Sequence, residues 1–444
     1  MIDRRTMLAY TAAGASLAPT ALAAATAAEP RGSRAFPQGF LWGASTSAHQ
    51  IEGNNTNSDA WALEQTQPTT YAEPSGDAAN SFALWRKDLD IVQALGLNTY
   101  RFGLEWARIE PAQGQFSVAM LDHYKAIVDG CHERGLTPLV TFSHFTLPAW
   151  FAARGGWTAP DGPDLFGRFC DRAARHMSDG IAMAITLNEP NLRDVLNVTF
   201  PASMRDRIYA SDRAMQEAAA RNHGVERFEP GNPLWVADPE AREAALLRAH
   251  AEARAAIRAV RSDLPVGLSL AIVDDQAAGA ASMRDRVREQ LYGNYLAAAR
   301  QDEFIGVQNY GRKVWGETGA LPPPADATLN DSEEEIYAPS LAGAVRYAHE
   351  ASGVPIMVTE HGVNTADDRK RADLIPAALG HLRDAMAEGV PVLGYCHWSL
   401  LDNFEWVFGY GPKYGLCAVD RTTFARTPKP SAQVLGRIAQ ANAV

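Results

Sequence analysis

Cysteine is scarce in this chain. Four residues in 444, at Cys131, Cys170, Cys396 and Cys417, are too few and too scattered for a disulfide scaffold. No two have CxxC spacing, which leaves no zinc knuckle and no thioredoxin-like site. Buried free thiols are the expectation, although export would permit one bridge. Positive charge is also in deficit, with 41 Lys and Arg against 52 Asp and Glu and a formal net charge of −11. That balance argues against nucleic acid or an anionic membrane as the main partner. Beyond the first thirty residues no apolar run approaches the roughly 18 residues of a membrane span. A GxGxxG turn after an early strand is missing too, which weakens a dinucleotide-binding reading. No repeat of short period is present. What remains is an ordinary globular composition, 46% hydrophobic, with ample length for a large core.

The first thirty residues, "MIDRRTMLAYTAAGASLAPTALAAATAAEP", differ in kind. Arg4-Arg5 precede an Ala-rich, almost uncharged run from Thr6 to Ala28 that ends in small residues suited to cleavage. Residues 1–28 read as a twin-arginine export signal, placing the mature protein in the periplasm or outside the cell. The alternative is a disordered or helical tail.

Thereafter short apolar runs alternate with longer helical patterns. Strand-like runs fall at Phe40–Thr46, Leu97–Leu104, Leu136–His144, Ile181–Asn188, Leu264–Ile272, Phe304–Tyr310, Val354–Glu360 and Val390–Ser399. Helical spacing falls at Phe82–Gly96, Met120–Gly135, Leu165–Met177 and Pro239–Asp263, and again near Tyr337–Ala351 and Arg371–Gly389. Without a break in composition, this rhythm predicts one α/β domain over 36–444, a closed (β/α)8 TIM barrel.

Sites in such barrels lie at the carboxyl ends of the strands. Polar residues collect there: Gln50 and Glu52 after the first strand, Arg101 in the second, His144 after the third, Asn188 and Glu189 after the fourth. Tyr310, Glu360, Trp398, Glu405 and Trp406 follow the sixth to eighth. This set makes a poor metal cage and a poor phosphate cradle. It suits a sugar, whose hydroxyls need planar donors and acceptors and whose ring stacks on an indole. Acetal hydrolysis requires two carboxylates, one protonated and one ionised. Taken singly, Glu189 and Glu360 could each be a helix cap or a surface group; as a pair at matching strand ends they point to that chemistry.

The motifs resemble family 1 of the glycoside hydrolases, the β-glucosidase-like retaining enzymes. "TLNEP" is similar to the family segment holding the acid/base glutamate, and "VTEHG" to the segment holding the nucleophile. "FLWGASTSAHQIEG", "NTYRFGLEWARIEP" and "GYCHWSLLDNFEWVFGYGPKYGL" extend the likeness, in the same order, from Phe36 to the C-terminus. The resemblance implies Glu189 as acid/base and Glu360 as nucleophile, with Arg101 and Tyr310 flanking Glu360 and keeping it ionised. It implies that Gln50, His144, Asn188, Glu405 and Trp406 bind the hydroxyls of the sugar at the −1 subsite, over a Trp398 floor. No metal or organic cofactor is called for. The implied partner is a β-glycoside or oligosaccharide; oligomeric state is not legible.

Departures occur in several motifs, the most telling on the leaving-group side. His361 replaces the usual Asn after the nucleophile, Phe145 and Thr146 stand for Trp and Asp, and Gln308 and Asn309 stand for Asn and Tyr. "NEPNLRDVLNVTFPASMRDR" lacks the aromatic after N-E-P and the glycine-rich loop that normally shapes the leaving-group side. The expected function is a retaining exo-β-glycosidase, first a β-glucosidase. β-Galactosidase, β-fucosidase or transglycosylase activity is the nearest alternative, and a non-catalytic sugar-binding protein the farther one. A phospho-β-glycosidase is disfavoured, because Glu405 would meet the phosphate and Pro412 takes the usual lysine position.

Overall fold

A computed structural model describes residues 35–199 and 202–444. The export signal read at 1–28 lies outside the described residues. Eight parallel strands close into a barrel: β1 Leu41–Ser45, β2 Thr99–Gly103, β3 Thr137–Ser143, β4 Met183–Asn188, β5 Val266–Ala271, β6 Ile305–Asn309, β7 Ile356–His361 and β8 Val392–Trp398. Each strand pairs with its neighbour in sequence, and β8 pairs with β1. The expected strands are all found, each end within two residues of its expected place.

Helices α1 Ser81–Ala94, α2 Val118–Glu133, α3 Gly162–Met177, α4 Pro239–Val260, α5 Arg284–Ala299, α6 Ser340–Ser352, α7 Asp368–Ala387 and α8 Pro430–Ala441 accompany the strands. Their starts follow from local chemistry. Ser117 accepts from Met120 N–H ahead of α2, and Asp238 accepts from Ala241 N–H ahead of α4, each satisfying one orphan donor of a first turn. After α1 and α2 the chain turns at Gly96 and Gly135, with φ of +80° and +68°, a region that other residues enter at a cost.

The sequence pattern marks neither α8, at the C-terminus, nor α5. The buried residues of α5, Val287, Leu291, Tyr295 and Ala299, recur every fourth position, but Arg and Glu crowd between them and dilute the apolar stripe. Two helices after β4, Leu192–Thr199 and Ala202–His223, also went unassigned, as did a small sheet of Asp274–Ala277, Arg312–Trp315 and Ala320–Leu321.

Two apolar layers hold the barrel. Leu139, Met183, Ile185, Met357 and Cys396 fill its interior with Phe304, and a larger layer packs strands against helices. The interior plug forms an apolar floor; polar side chains begin above it. All four cysteines are buried and free. Among the described residues no helix is long and apolar enough to cross a membrane.

Candidate active site

Both strands that end in a candidate glutamate carry a register slip just before it. On β7, Val358 pairs with Val307, and the next pair is Glu360 with Gln308, leaving Thr359 as an extra residue. On β4, Ile185 pairs with Gly267, and the next pair is Asn188 with Ser269, so β4 advances three residues for two of β5. An extra residue reverses the in–out alternation of a strand. Met357 faces the barrel interior, so regular alternation would turn Glu360 outward. The slip brings it in, and the same holds for Asn188 after Ile185.

Glu360 is held at both of its carboxylate oxygens. Its Oε1 accepts from Arg101 Nη1 at 2.5 Å and from Gln308 Nε2 at 2.9 Å, and its Oε2 accepts from Tyr310 Oη at 2.6 Å. Arg101, fully buried, also donates through Nη2 to Asn188 Oδ1 at 2.5 Å and through Nε to Thr141 Oγ1 at 3.2 Å. The expected flanking of Glu360 by Arg101 and Tyr310 is present. Gln308 is an addition: the sequence showed it only as a departure, and its place two residues before Tyr310, on the same face of β6, was the available signal.

Glu189 stands differently. It follows β4 with φ of +43°, its N–H bound to the Ser269 carbonyl, and among the described residues none hydrogen-bonds its carboxyl. Burial and the Glu360 charge push it well above the usual carboxylate range, with Arg101 opposing. Burial raises Glu360 as well, but there Arg101 and the Tyr310 hydroxyl pull the other way. Arg101 and Tyr310 thus offset burial without cancelling it. The donors around Glu360 favour its anion, and the bare, buried setting of Glu189 favours its acid form.

The remaining predicted residues gather around the same mouth. Gln50 is anchored by Nε2 on the Phe404 carbonyl at 2.7 Å. His144 lies flat against Trp398, with ring centroids 5.6 Å apart and planes at 18°. Burial and the Arg101 charge keep its imidazole well below its ordinary pKa and therefore neutral. Trp406 stacks on His49 at 5.5 Å and meets Phe145 edge-on. Burial pushes Glu405 up to about 8, against the pull of Trp398 and Gln50. Five buried polar atoms here have no hydrogen-bond partner among the described residues: Gln50 Oε1, His144 Nδ1, Asn188 Nδ2, Gln308 Oε1 and Glu405 Oε1. Leaving such atoms unsatisfied costs about 1–3 kcal/mol each, a cost that a ligand rich in hydroxyls would relieve.

Glu52 does not join them. Its carboxylate is bound by Arg108 Nε at 2.9 Å and Tyr124 Oη at 3.0 Å, a buried brace between the first and second strand loops. His361 also faces away, with Nδ1 2.9 Å from Tyr395 Oη. Among the described residues no cluster of His, Cys, Asp and Glu could hold a metal ion.

Beside Glu189 a cavity opens between Phe145, Pro190, Arg193, Asn232, Pro233 and Arg242. Arg193 is fixed by Leu234 O at 3.2 Å and by the adjacent Asp194. Arg242 is paired with Glu229 at 3.0 Å and donates to Gly231 O at 2.6 Å. Gly231 is required there: a Cβ would lie 1.7 Å from the Phe145 carbonyl oxygen.

Comparison with known proteins agrees with this geometry. A family model described as glycosyl hydrolase family 1 matches residues 32–292 and 323–444. β-Glucosidase A of Thermotoga maritima is 30% identical over 439 residues, covering 89% of this chain and 96% of that protein. The β-glucosidase of an Agrobacterium species is 29% identical over 444 residues, covering 89% of this chain and 93% of that protein. Among solved structures, the apo form of β-glucosidase 1317 superposes with a TM-score of 0.87 at 39% identity, covering 91% of this chain and 99% of the other. With the barrel, the strand-end carboxylates and the family match in agreement, the chain belongs to glycosyl hydrolase family 1 and is an O-glycosyl hydrolase.

Proposed function

We propose that this hydrolase is a retaining exo-β-glycosidase, first a β-glucosidase, with Glu360 as nucleophile and Glu189 as acid/base. The observation that carries the reading is the asymmetry of the two carboxyls. Glu360 is clasped by a guanidinium, an amide and a phenol, all donors that favour its anion. The Glu189 carboxyl is buried beside that anion with no donor among the described residues, which favours its acid form.

The steps follow. Glu360 attacks the anomeric carbon while Glu189 gives its proton to the departing glycosidic oxygen. The C–O bond breaks, the alcohol leaves, and a glycosyl ester forms on Glu360. Water then attacks the same carbon, Glu189 takes its proton, and Glu360 is released with the β-configuration restored. Such double displacement asks for carboxyl oxygens about 5–5.5 Å apart. Gln50, His144, Asn188, Glu405 and Trp406 supply hydroxyl contacts and Trp398 the stacking face. Galacto- or fuco-configured sugars and transfer to a second sugar fit the same residues. A purely binding role would not need the Arg101–Glu360 pair.

Proton NMR of the first product from an aryl β-glucoside tests the stereochemistry; an α-anomer would sink the mechanism. Glu360→Ala should abolish turnover. Glu189→Ala should lose poorly activated leaving groups far more than dinitrophenyl ones, and azide should rescue it to a β-glycosyl azide. An α-azide from that variant would exchange the two roles. Export by the twin-arginine route is part of the proposal, motivated by Arg4-Arg5 and the run that follows. Secretion that survives Arg4→Lys with Arg5→Lys would remove it.

A further inference from the structure

Gln308 lies where two acceptors meet. Its Nε2 donates to Asn188 Oδ1 at 2.8 Å and to Glu360 Oε1 at 2.9 Å. The same two oxygens accept Arg101 Nη2 and Nη1, both at 2.5 Å. An amide oxygen and a carboxylate oxygen are therefore pinned together between a guanidinium and a second amide. Gln308 is 1% exposed, and its backbone is paired to Glu360 on β7 and to Ala271 on β5. Neither the side chain nor the strand has freedom to drift.

We infer that Gln308 is a positioning residue for the reaction, fixing the Glu360 carboxylate and holding Asn188 with its Nδ2 free for the sugar. This rests on Glu360 being the nucleophile. The second half follows from the inventory of an amide, which has one accepting end and one donating end. Turning Asn188 over would set its NH2 against two donors, Arg101 Nη2 and Gln308 Nε2. The orientation is thereby fixed, and Asn188 Nδ2 is left buried beside the nucleophile with no partner among the described residues. Its natural acceptor is the hydroxyl on the carbon next to the anomeric centre, where hydrogen bonds strengthen as the transition state forms. The first half is electrostatic: an N–H aimed at a carboxylate favours the anion, so its removal raises the nucleophile's pKa.

The test compares Gln308→Leu with the native enzyme on an activated aryl β-glycoside and on its 2-deoxy counterpart, across pH. Expected is a fall in kcat/KM of about 10–100-fold, the loss of a hydrogen bond to a charged group. The acidic limb of the profile should move to higher pH. The preference for the substrate that keeps its 2-hydroxyl should shrink, because Asn188 is no longer held. A lower Tm with an unmoved acidic limb and unchanged 2-hydroxyl preference would reduce Gln308 to packing and overturn the inference. Should the leucine variant fail to fold, Gln308→Met keeps the length of the side chain and is read the same way. Failure of the underlying assignment has its own signature: Glu360→Ala would retain turnover whatever Gln308 does.

Discussion

Asn191 is tied twice to Ala271. Its Nδ2 donates to the Ala271 carbonyl at 2.8 Å, and its Oδ1 accepts from the Ala271 N–H at 3.1 Å. The residue two places after Glu189 is thus a buried brace between the β4 loop and the end of β5, and not an aromatic wall for the leaving group. Arg193 instead lines the cavity that adjoins Glu189.

Replacing Arg193 and Asp194 together by alanine should therefore change the relative kcat/KM of different aglycones by about 10-fold. A site that hydrogen-bonds its ligand discriminates strongly against one lacking the partner. Covalent trapping of a 2-fluoro sugar on Glu360 should be unaffected. Equal losses for every aglycone would instead indicate damage to folding or to the −1 subsite.

Arg101→Met removes the cation nearest Glu360. Breaking a buried ion pair costs about 3–5 kcal/mol of folding stability, and the lost charged hydrogen bond to Glu360, about 1.5–3 kcal/mol, should lower activity at least about 10-fold. The sign on pH is definite: without the guanidinium the Glu360 pKa rises, and the loss should be larger at pH 5 than at pH 8. An acidic limb that stays in place would show that Arg101 does not act on the nucleophile's charge.

Stability should carry its own pH signature at Glu105, which lies outside the chemistry. Burial pushes this carboxyl up to about 7, although Thr146 Oγ1 donates to it at 2.8 Å. Below an unfolded glutamate pKa of about 4.3 both states are protonated and the group is neutral in the balance. As pH rises to about 7 the unfolded chain ionises first and the native state loses up to about 3 kcal/mol. Glu105→Gln escapes that loss, and its amide can donate to the Thr146 hydroxyl. Urea unfolding should show the variant gaining on the native protein between pH 4 and 7; a difference constant with pH would contradict it.

The thiols give a simpler expectation. Burial pushes Cys131, Cys396 and Cys417 up to about 12 and Cys170 well above its ordinary value. Native protein at pH 8 should resist maleimide, unfolded protein should take up four equivalents, and reductant should leave Tm unchanged. A mass deficit of two hydrogens after denaturation would reveal a disulfide.

Much of this was legible in the primary structure. The eight strands were visible because each is a short apolar run bounded by polar turns. Glu189 and Glu360 were visible because a carboxylate ending such a run is out of place. Arg101 was visible as a lone cation inside one. The rest depended on partners that spacing does not reveal. Glu52 looked like a site residue from its place after β1, yet Arg108 and Tyr124 claim it. Gln308 looked like a substitution of one amide for another; only the register of β6 with β7 shows what it touches. Asn191 read as the loss of an aromatic, whereas its hydrogen bonds make it a gain of rigidity.

The register slips have a consequence for mutational tolerance. At Thr359 the useful atom belongs to the backbone: its carbonyl oxygen accepts from Ser45 Oγ at 2.6 Å and from Arg101 Nη1 at 3.4 Å. Any residue supplies that oxygen, so a scan of substitutions that respect the buried volume, such as Thr359→Val, would pass over this position as unremarkable. Removing the residue is another matter, because the carbonyl goes with it and Arg101 loses one of its anchors. The chain stores part of its active-site geometry as a count of residues, and a count is altered only by deletion or insertion.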